Sequence, residues 1–141
     1  MTYSNVSPIW TALRDRFQKT AQEIPVQDID LQLGTSSVRS LLHHTAEVEY
    51  MFAEWFFDKK IPVEIGRAEE AGHAQLIERL SSSNENLIEA MKALPEDKWQ
   101  VVVASPMGPS TPLEAVGRLM YHTGMHAGQI SLIRKNGESS R

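Results

Sequence analysis

The sequence predicts an all-α protein built as a four-helix bundle. Apolar residues recur every three to four positions in four stretches of the 141-residue chain, which is the spacing of an amphipathic helix. No stretch shows the alternation that predicts a strand. Helix-starting signals, Ser7-Pro8 and Thr111-Pro112, precede two of the stretches. Because a chain of this length forms one core, residues 1–141 are expected to be a single domain.

The first two helices are separated by a connector that contains proline and glycine. The first is predicted from Pro8 to Glu23, with Ser7 as its N-cap and an apolar stripe formed by Ile9, Leu13 and Phe17. The second is predicted from Ser36 or Ser37 to Asp58. Its apolar side carries Leu41, Val48, Met51 and Trp55.

The last two helices flank a long connector rich in proline. The third is predicted from Glu69 to Leu94, and the weak helix formers "SSSN" in its middle allow a kink or a break, although one helix is favoured. The fourth begins with the capping box of Thr111 and Glu114 and ends near Lys135. Connectors of this length leave the order of helix directions open.

Composition excludes several classes of function and of site. The formal charge is −4 and no run of Lys or Arg forms a basic patch, so neither nucleic acid nor an anionic membrane is an expected partner. No export signal or membrane-spanning run is evident, and a cytoplasmic location is expected. The chain has no cysteine. Any metal ion must therefore be held by His, Asp or Glu.

Two histidines near the C-terminus raise the question of a metal site. In "YHTGMHAGQI", His122 and His126 stand four residues apart, so they share one helical face, and it is the face that carries Leu119 and Ile130. On the second helix, His44 shares the apolar side, whereas its neighbour His43 shares the polar side. All of His44, His122 and His126 are therefore expected to point into the bundle.

Three inward imidazoles from two helices predict a three-nitrogen metal site of the open, catalytic kind. The alternative is a set of buried histidines satisfied by ordinary hydrogen bonds, because an H-x-x-x-H pair arises easily by chance. Spacing alone leaves open whether the second and fourth helices meet at the required height.

Two motifs resemble those of the DinB-like superfamily, also called DinB/YfiT-like metalloenzymes. The segment "SVRSLLHHTAEVE" is similar to the family stretch S-x-x-x-L-L-x-H, and "HTGMHAGQI" is similar to its H-x-x-x-H-x-G-Q-I signature. The resemblance covers nearly the whole chain. It implies an up-down-down-up bundle with a divalent metal ion, zinc or nickel, held by His44, His122 and His126.

The resemblance also implies a function. Characterised branches of the superfamily are metal-dependent transferases or isomerases that use a low-molecular-weight thiol, so a small thiol and an electrophilic small molecule are the implied partners. Glu47 and Gln129 are candidate catalytic residues that would support the ligands or accept a proton; a solvated surface acid and a helix-packing residue are the alternatives. The rival function is a non-catalytic metal-binding or dimeric interaction module.

A strip of small residues raises the question of self-association. Gly117, Gly124 and Gly128 lie on one side of the fourth helix, away from the histidines. Each glycine lowers the stability of the helix by about 1 kcal/mol relative to alanine, so three on one side indicate a structural role. It predicts either a homodimer interface, which the resemblance supports, or close packing on a neighbouring helix of the same bundle.

Overall fold

Four α-helices dominate the computed structural model, which describes residues 1–139. Their bounds are Thr2–Gln22 for α1, Val38–Phe57 for α2, His73–Ala93 for α3 and Pro112–Asn136 for α4. Short 3₁₀ turns occupy parts of the connectors, at Val26–Asp28, Ala68–Glu70 and Glu96–Lys98. None of the helices in the described part of the chain is long and apolar enough to cross a membrane. The prediction of a mostly helical fold with four helices is confirmed.

A small antiparallel sheet corrects the expectation of an all-α protein. Its strands are β1 at Leu31–Leu33, β2 at Ser36–Ser37 and β3 at Glu138–Ser139, arranged in the order β2-β1-β3. Gly34 turns the β1–β2 hairpin with a φ of 62°, a conformation that glycine adopts without steric cost. Strands of two or three residues are too short to show an alternating pattern, which is why the sequence did not reveal them.

The helices pack as a ring in which each helix makes most of its contacts with two others. Helix α2 packs against α3 and α4, and α1 packs against the same two helices. Helices α1 and α2 therefore lie on opposite sides of the core. The up-down-down-up order of helix directions implied by the resemblance remains a prediction.

Two of the predicted helix starts are confirmed in detail. Ser37 caps α2, and its hydroxyl accepts from the Ser40 amide at 3.0 Å. Thr111 caps α4: its hydroxyl accepts from the Glu114 amide at 3.0 Å, while the Glu114 carboxylate accepts from the Thr111 amide at 2.8 Å. These reciprocal bonds satisfy amides that a helix start leaves without partners.

Helix α1 begins earlier than predicted and buries a different stripe. It starts at Thr2, so Ser7 is not its N-cap and Pro8 lies inside it. The Thr2 amide donates to the carboxylate of Glu96 at 2.7 Å, and sequence could not reveal a cap from so distant a connector. Ile9 is 61% exposed. The buried stripe consists of Trp10, Arg14, Phe17 and Ala21, so Phe17 is the member of the predicted stripe that is confirmed.

Helix α3 begins later than predicted but is unbroken. It starts at His73 rather than Glu69, because residues 68–70 form a separate 3₁₀ turn. The "SSSN" segment continues the helix, and Ser83 within it is buried. The prediction of one helix in this region is confirmed.

A buried ion pair joins the two helices that lie on opposite sides of the core. Arg14 of α1 and Glu49 of α2 are both almost completely buried, and Arg14 Nε donates to a Glu49 oxygen at 2.6 Å. A second guanidinium nitrogen reaches the other Glu49 oxygen at 3.2 Å. From α3, the Leu80 carbonyl accepts from Arg14 at 2.7 Å and the Ser83 hydroxyl donates to Glu49 at 2.6 Å. These bonds tie three helices together at the centre of the bundle.

We expect Glu49→Gln to destabilise the fold by about 3–5 kcal/mol, because it leaves the buried Arg14 charge without its counter-charge. The free energy of unfolding would be measured by urea denaturation. Arg16→Met, which removes an exposed charge from the same helix as Arg14, is the matched control and should change stability by less than about 0.5 kcal/mol. Equal stabilities for the two variants would contradict the role assigned to the ion pair.

Candidate metal centre

The two α4 histidines face each other through the same ring atom. His122 Nε2 and His126 Nε2 lie 2.9 Å apart, and the ring centroids are 4.2 Å apart at 82°. The spacing of four residues places the rings one helical turn apart, and their side chains converge on a common point. The pair expected from the sequence is therefore present.

His44 of α2 completes the cluster. Its ring centroid lies 5.1 Å from that of His122 and 5.5 Å from that of His126. One ring nitrogen from each of the three residues lies within 4.8 Å of the other two. The packing of α2 on α4, which spacing alone left open, brings all three imidazoles together.

The expectation that all three histidines point into the core is wrong for His44. His126 is buried and His122 is half-buried, but the His44 side chain is 46% exposed. The apolar arc of α2 is wider than half the helix and is centred near Glu49. Five residues at about 100° each place His44 roughly 140° around the helix from Glu49, on the flank that faces α4.

His43 lies on the opposite flank of α2, and it is less exposed than expected. Its side chain is only 12% exposed, and its Nδ1 lies 3.4 Å from Nη1 of Arg79 on α3. It was expected on a polar, solvent-facing side. The two adjacent histidines therefore face different helices. His44 faces α4 and the other imidazoles, while His43 faces α3.

Acceptors on the outer side orient two of the rings. The side-chain oxygen of Gln129 lies 2.5 Å from His126 Nδ1, and a Glu47 oxygen lies 3.3 Å from His44 Nδ1. An ionised carboxylate only accepts hydrogen bonds, as does the amide oxygen, so both Nδ1 atoms carry the proton. The Nε2 atom of each ring is then left with a free lone pair.

Burial and crowding keep the α4 imidazoles neutral. Desolvation, and then the proximity of His126 and His44, lower the pKa of His122 to about 4. The pKa of His126 is also lowered, chiefly by desolvation, although its hydrogen bond to Gln129 acts in the opposite direction. Neutral imidazole is the form that binds metal ions.

An apolar cavity of about 620 Å³ opens beside the imidazoles. His44 and His122 line one part of it, and much of its wall is the α2 stripe that was expected to be buried in the core. Arg118 and Met107, which the sequence gave no reason to select, also line it. The remaining lining residues are Val48, Met51, Phe52, Trp55, Glu114, Gly117, Tyr121 and Met125.

Comparison with known proteins identifies the family and supports the fold. The sequence profile of the DinB superfamily matches residues 9–130. Two similar crystal structures are a DinB-like protein from Bacillus cereus ATCC 10987, with 12% identity and a TM-score of 0.78, and a DinB-like protein (YjoA) from Bacillus subtilis, with 14% identity and a TM-score of 0.70. The alignments cover 95% and 94% of this chain, respectively, and 93% of each of those chains. No curated protein matches the sequence.

We expect the metal-free protein to lose stability as the pH falls from 6.5 to about 4. Because the folded pKa of His122 lies below its ordinary value of 6.5, the unfolded chain binds a proton in this window that the folded chain does not. Nuclear magnetic resonance of the ring protons would give the pKa directly, and urea denaturation would give the slope. His122→Asn should make the decline with falling pH shallower. A His122 pKa at or above 6.5 would contradict this description of the site.

Proposed function

Because the chain belongs to the DinB superfamily and holds three imidazoles together, we propose that it is a metal-dependent enzyme acting on a small thiol. His44, His122 and His126 would bind one divalent ion, zinc or nickel. The thiol would then be transferred to an electrophilic small molecule. The observation that carries this proposal is the convergence of one ring nitrogen from each histidine within 4.8 Å.

The donor set suits such an ion. Two lone pairs 2.9 Å apart repel each other unless a cation lies between them, and the lowered pKa of both α4 histidines disfavours a proton in that place. Imidazole nitrogens bind zinc and nickel well. Three protein ligands leave at least one coordination position open, as in catalytic rather than structural sites.

Glu47 and Gln129 support the proposed ligands. Each accepts a hydrogen bond from the Nδ1 of a histidine, which fixes the tautomer and the ring orientation. Glu47 is also partly exposed at the rim of the site, with 38% of its side chain accessible. We propose that its carboxylate receives the thiol proton directly or through water.

The cavity beside the imidazoles would hold the second substrate. A bound divalent ion stabilises a thiolate at neutral pH. Carbon–sulfur bond formation at the electrophile then expels a leaving group with its electron pair, or opens an epoxide. Apolar walls from Val48, Phe52 and Trp55 would displace part of the water around the reacting atoms when the substrate binds, and this would strengthen the electrostatic interactions there.

Replacing any one of His44, His122 or His126 with alanine should weaken zinc binding at least tenfold, because each removes a proposed ligand. Metal content after purification without added metal, and calorimetric zinc titration, would measure the effect. His43→Ala is the matched control: it removes the adjacent imidazole, which faces α3, and should leave affinity unchanged. Loss of binding in His43→Ala with retention in His44→Ala would refute the ligand set.

The metal-loaded protein should catalyse attack of a small thiol on a chloro- or epoxide-bearing probe. A panel of bacillithiol, mycothiol, glutathione and coenzyme A would identify the thiol class by product formation. Turnover should fall to background after chelation and return when the ion is restored. Metal binding without turnover for any thiol would contradict the enzymatic proposal and favour a non-catalytic metal-binding module.

The glycine strip of α4 supports a homodimer. Gly117, Gly124 and Gly128 are exposed, and a Cβ atom built at each meets nothing within 4 Å. Packing of the strip against a neighbouring helix of the same bundle, the alternative expectation, is therefore wrong. Exposed Tyr121 and Leu132 flank the strip with apolar surface. Gly117 and Tyr121 also line the cavity beside the imidazoles, so the expectation that the strip lies away from the histidines is wrong at this end. We propose that this surface meets its own copy across a two-fold axis.

We expect light scattering to show a dimer of the wild-type protein and a folded, metal-binding monomer of Gly124→Leu. The leucine fits the isolated chain, because the space around Gly124 is open, but it would hold two close-packed helices apart. Glu138→Leu, an exposed change elsewhere on the surface, is the control and should remain dimeric. A Gly124→Leu dimer as stable as the wild type would exclude this interface.

A further inference from the structure

Arg118 is held against the aromatic wall of the cavity. Its guanidinium carbon lies 5.5 Å from the ring centroid of Phe52 and 5.9 Å from that of Phe56. Nη1 donates to the Ser110 hydroxyl at 2.7 Å and Nη2 to the Met107 carbonyl at 3.0 Å. The two ring contacts and two hydrogen bonds restrict the guanidinium, so less conformational freedom remains to be lost when a ligand binds.

The charge of Arg118 has no counter-charge in contact with it. Among residues 1–139, no carboxylate oxygen lies within 4.0 Å of its guanidinium nitrogens. The Glu114 carboxylate, one helical turn away, accepts instead from the amide of Thr111. The hydrogen bonds with Thr111, and to a smaller extent the charge of Arg118, lower the pKa of Glu114. A guanidinium has five N–H groups, and two of them are used, which leaves three for a ligand. An unpaired, partly desolvated guanidinium in an apolar cavity favours an anion.

Arg118 lies at the end of the cavity away from the imidazoles. It precedes His122 by one turn of α4, and its side chain extends towards the start of that helix, where Ser110 and Met107 hold it. Helical rise plus the length of an arginine side chain puts its guanidinium on the order of 10 Å from the imidazole cluster. The space between carries mostly apolar groups, including Val48, Phe52 and Trp55.

We propose that Arg118 is a binding residue for a carboxylate on the substrate. The favoured ligand is an elongated amphipathic molecule: a thiol at the imidazole end, an apolar middle along the cavity wall, and a carboxylate paired with Arg118. The thiol end rests on the proposed function, but the carboxylate end does not, because the Arg118 contacts are independent of any metal ion.

The test uses two thiols of equal length, 8-mercaptooctanoate and 8-mercapto-1-octanol, with metal-free and zinc-loaded protein. Binding is followed by fluorescence, since Trp55 lines the cavity whereas Trp10 and Trp99 are fully buried. In both forms the carboxylate should bind about tenfold more tightly than the alcohol, as expected for a charge-assisted hydrogen-bonded pair. Added salt should reduce the difference.

Three variants test whether the preference for the carboxylate arises from Arg118. Arg118→Met should abolish it without weakening the binding of the alcohol, Arg118→Lys should retain part of it, and Arg16→Met, with the same loss of charge at an exposed site, should retain all of it. No preference in the wild type, or an undiminished preference in Arg118→Met, would overturn the proposal. If the protein binds no zinc but still prefers the carboxylate to the alcohol, the role of Arg118 is supported and the proposed metal chemistry is refuted.

Discussion

The bidentate ion pair between Arg14 and Glu49 fixes the rotation of α2, and the position of the histidines follows from that rotation. Glu49 must point to the centre of the bundle, because its two oxygens accept from Arg14 of α1 and from Ser83 of α3. With Glu49 inward, His44 faces α4 and His43 faces α3. A rotation of α2 large enough to move His44 away from α4 would leave a buried charge unpaired, at a cost of several kcal/mol.

The site combines groups that would be unfavourable separately. His122 and His126 have lowered pKa values because they are desolvated and close to other imidazoles. Both rings therefore stay neutral at neutral pH, with a lone pair free to bind a metal ion. The half-exposed His44 keeps the site accessible from the cavity. At the other end of the same cavity, Arg118 supplies a fixed positive charge. Under the proposed function, the two ends together would suit a ligand with a soft donor atom and an anion separated by an apolar chain.

Sequence predicted the parts of the fold that local patterns encode. The start of α2 near Ser37, the capping box at Thr111, the single α3 helix and the grouping of His122 with His126 all follow from short-range spacing. It failed where distant residues decide the outcome: Glu96 sets the start of α1, and β3 pairs with a hairpin about a hundred residues earlier in the chain. Arg14 and Glu49 each lie in an apolar stripe of the sequence. Two opposite charges at such positions could have predicted the buried ion pair at the centre of the core.

The claim that three imidazoles from two helices hold one divalent ion is tested most directly by X-ray absorption spectroscopy of zinc-loaded protein. We expect three imidazole nitrogens at about 2.0 Å from zinc, completed by a light, exchangeable ligand. Addition of a small thiol should then introduce one sulfur at about 2.3 Å, with the imidazoles retained. A zinc environment without imidazole scattering, or one dominated by carboxylate oxygens, would contradict the assignment of the three histidines as ligands.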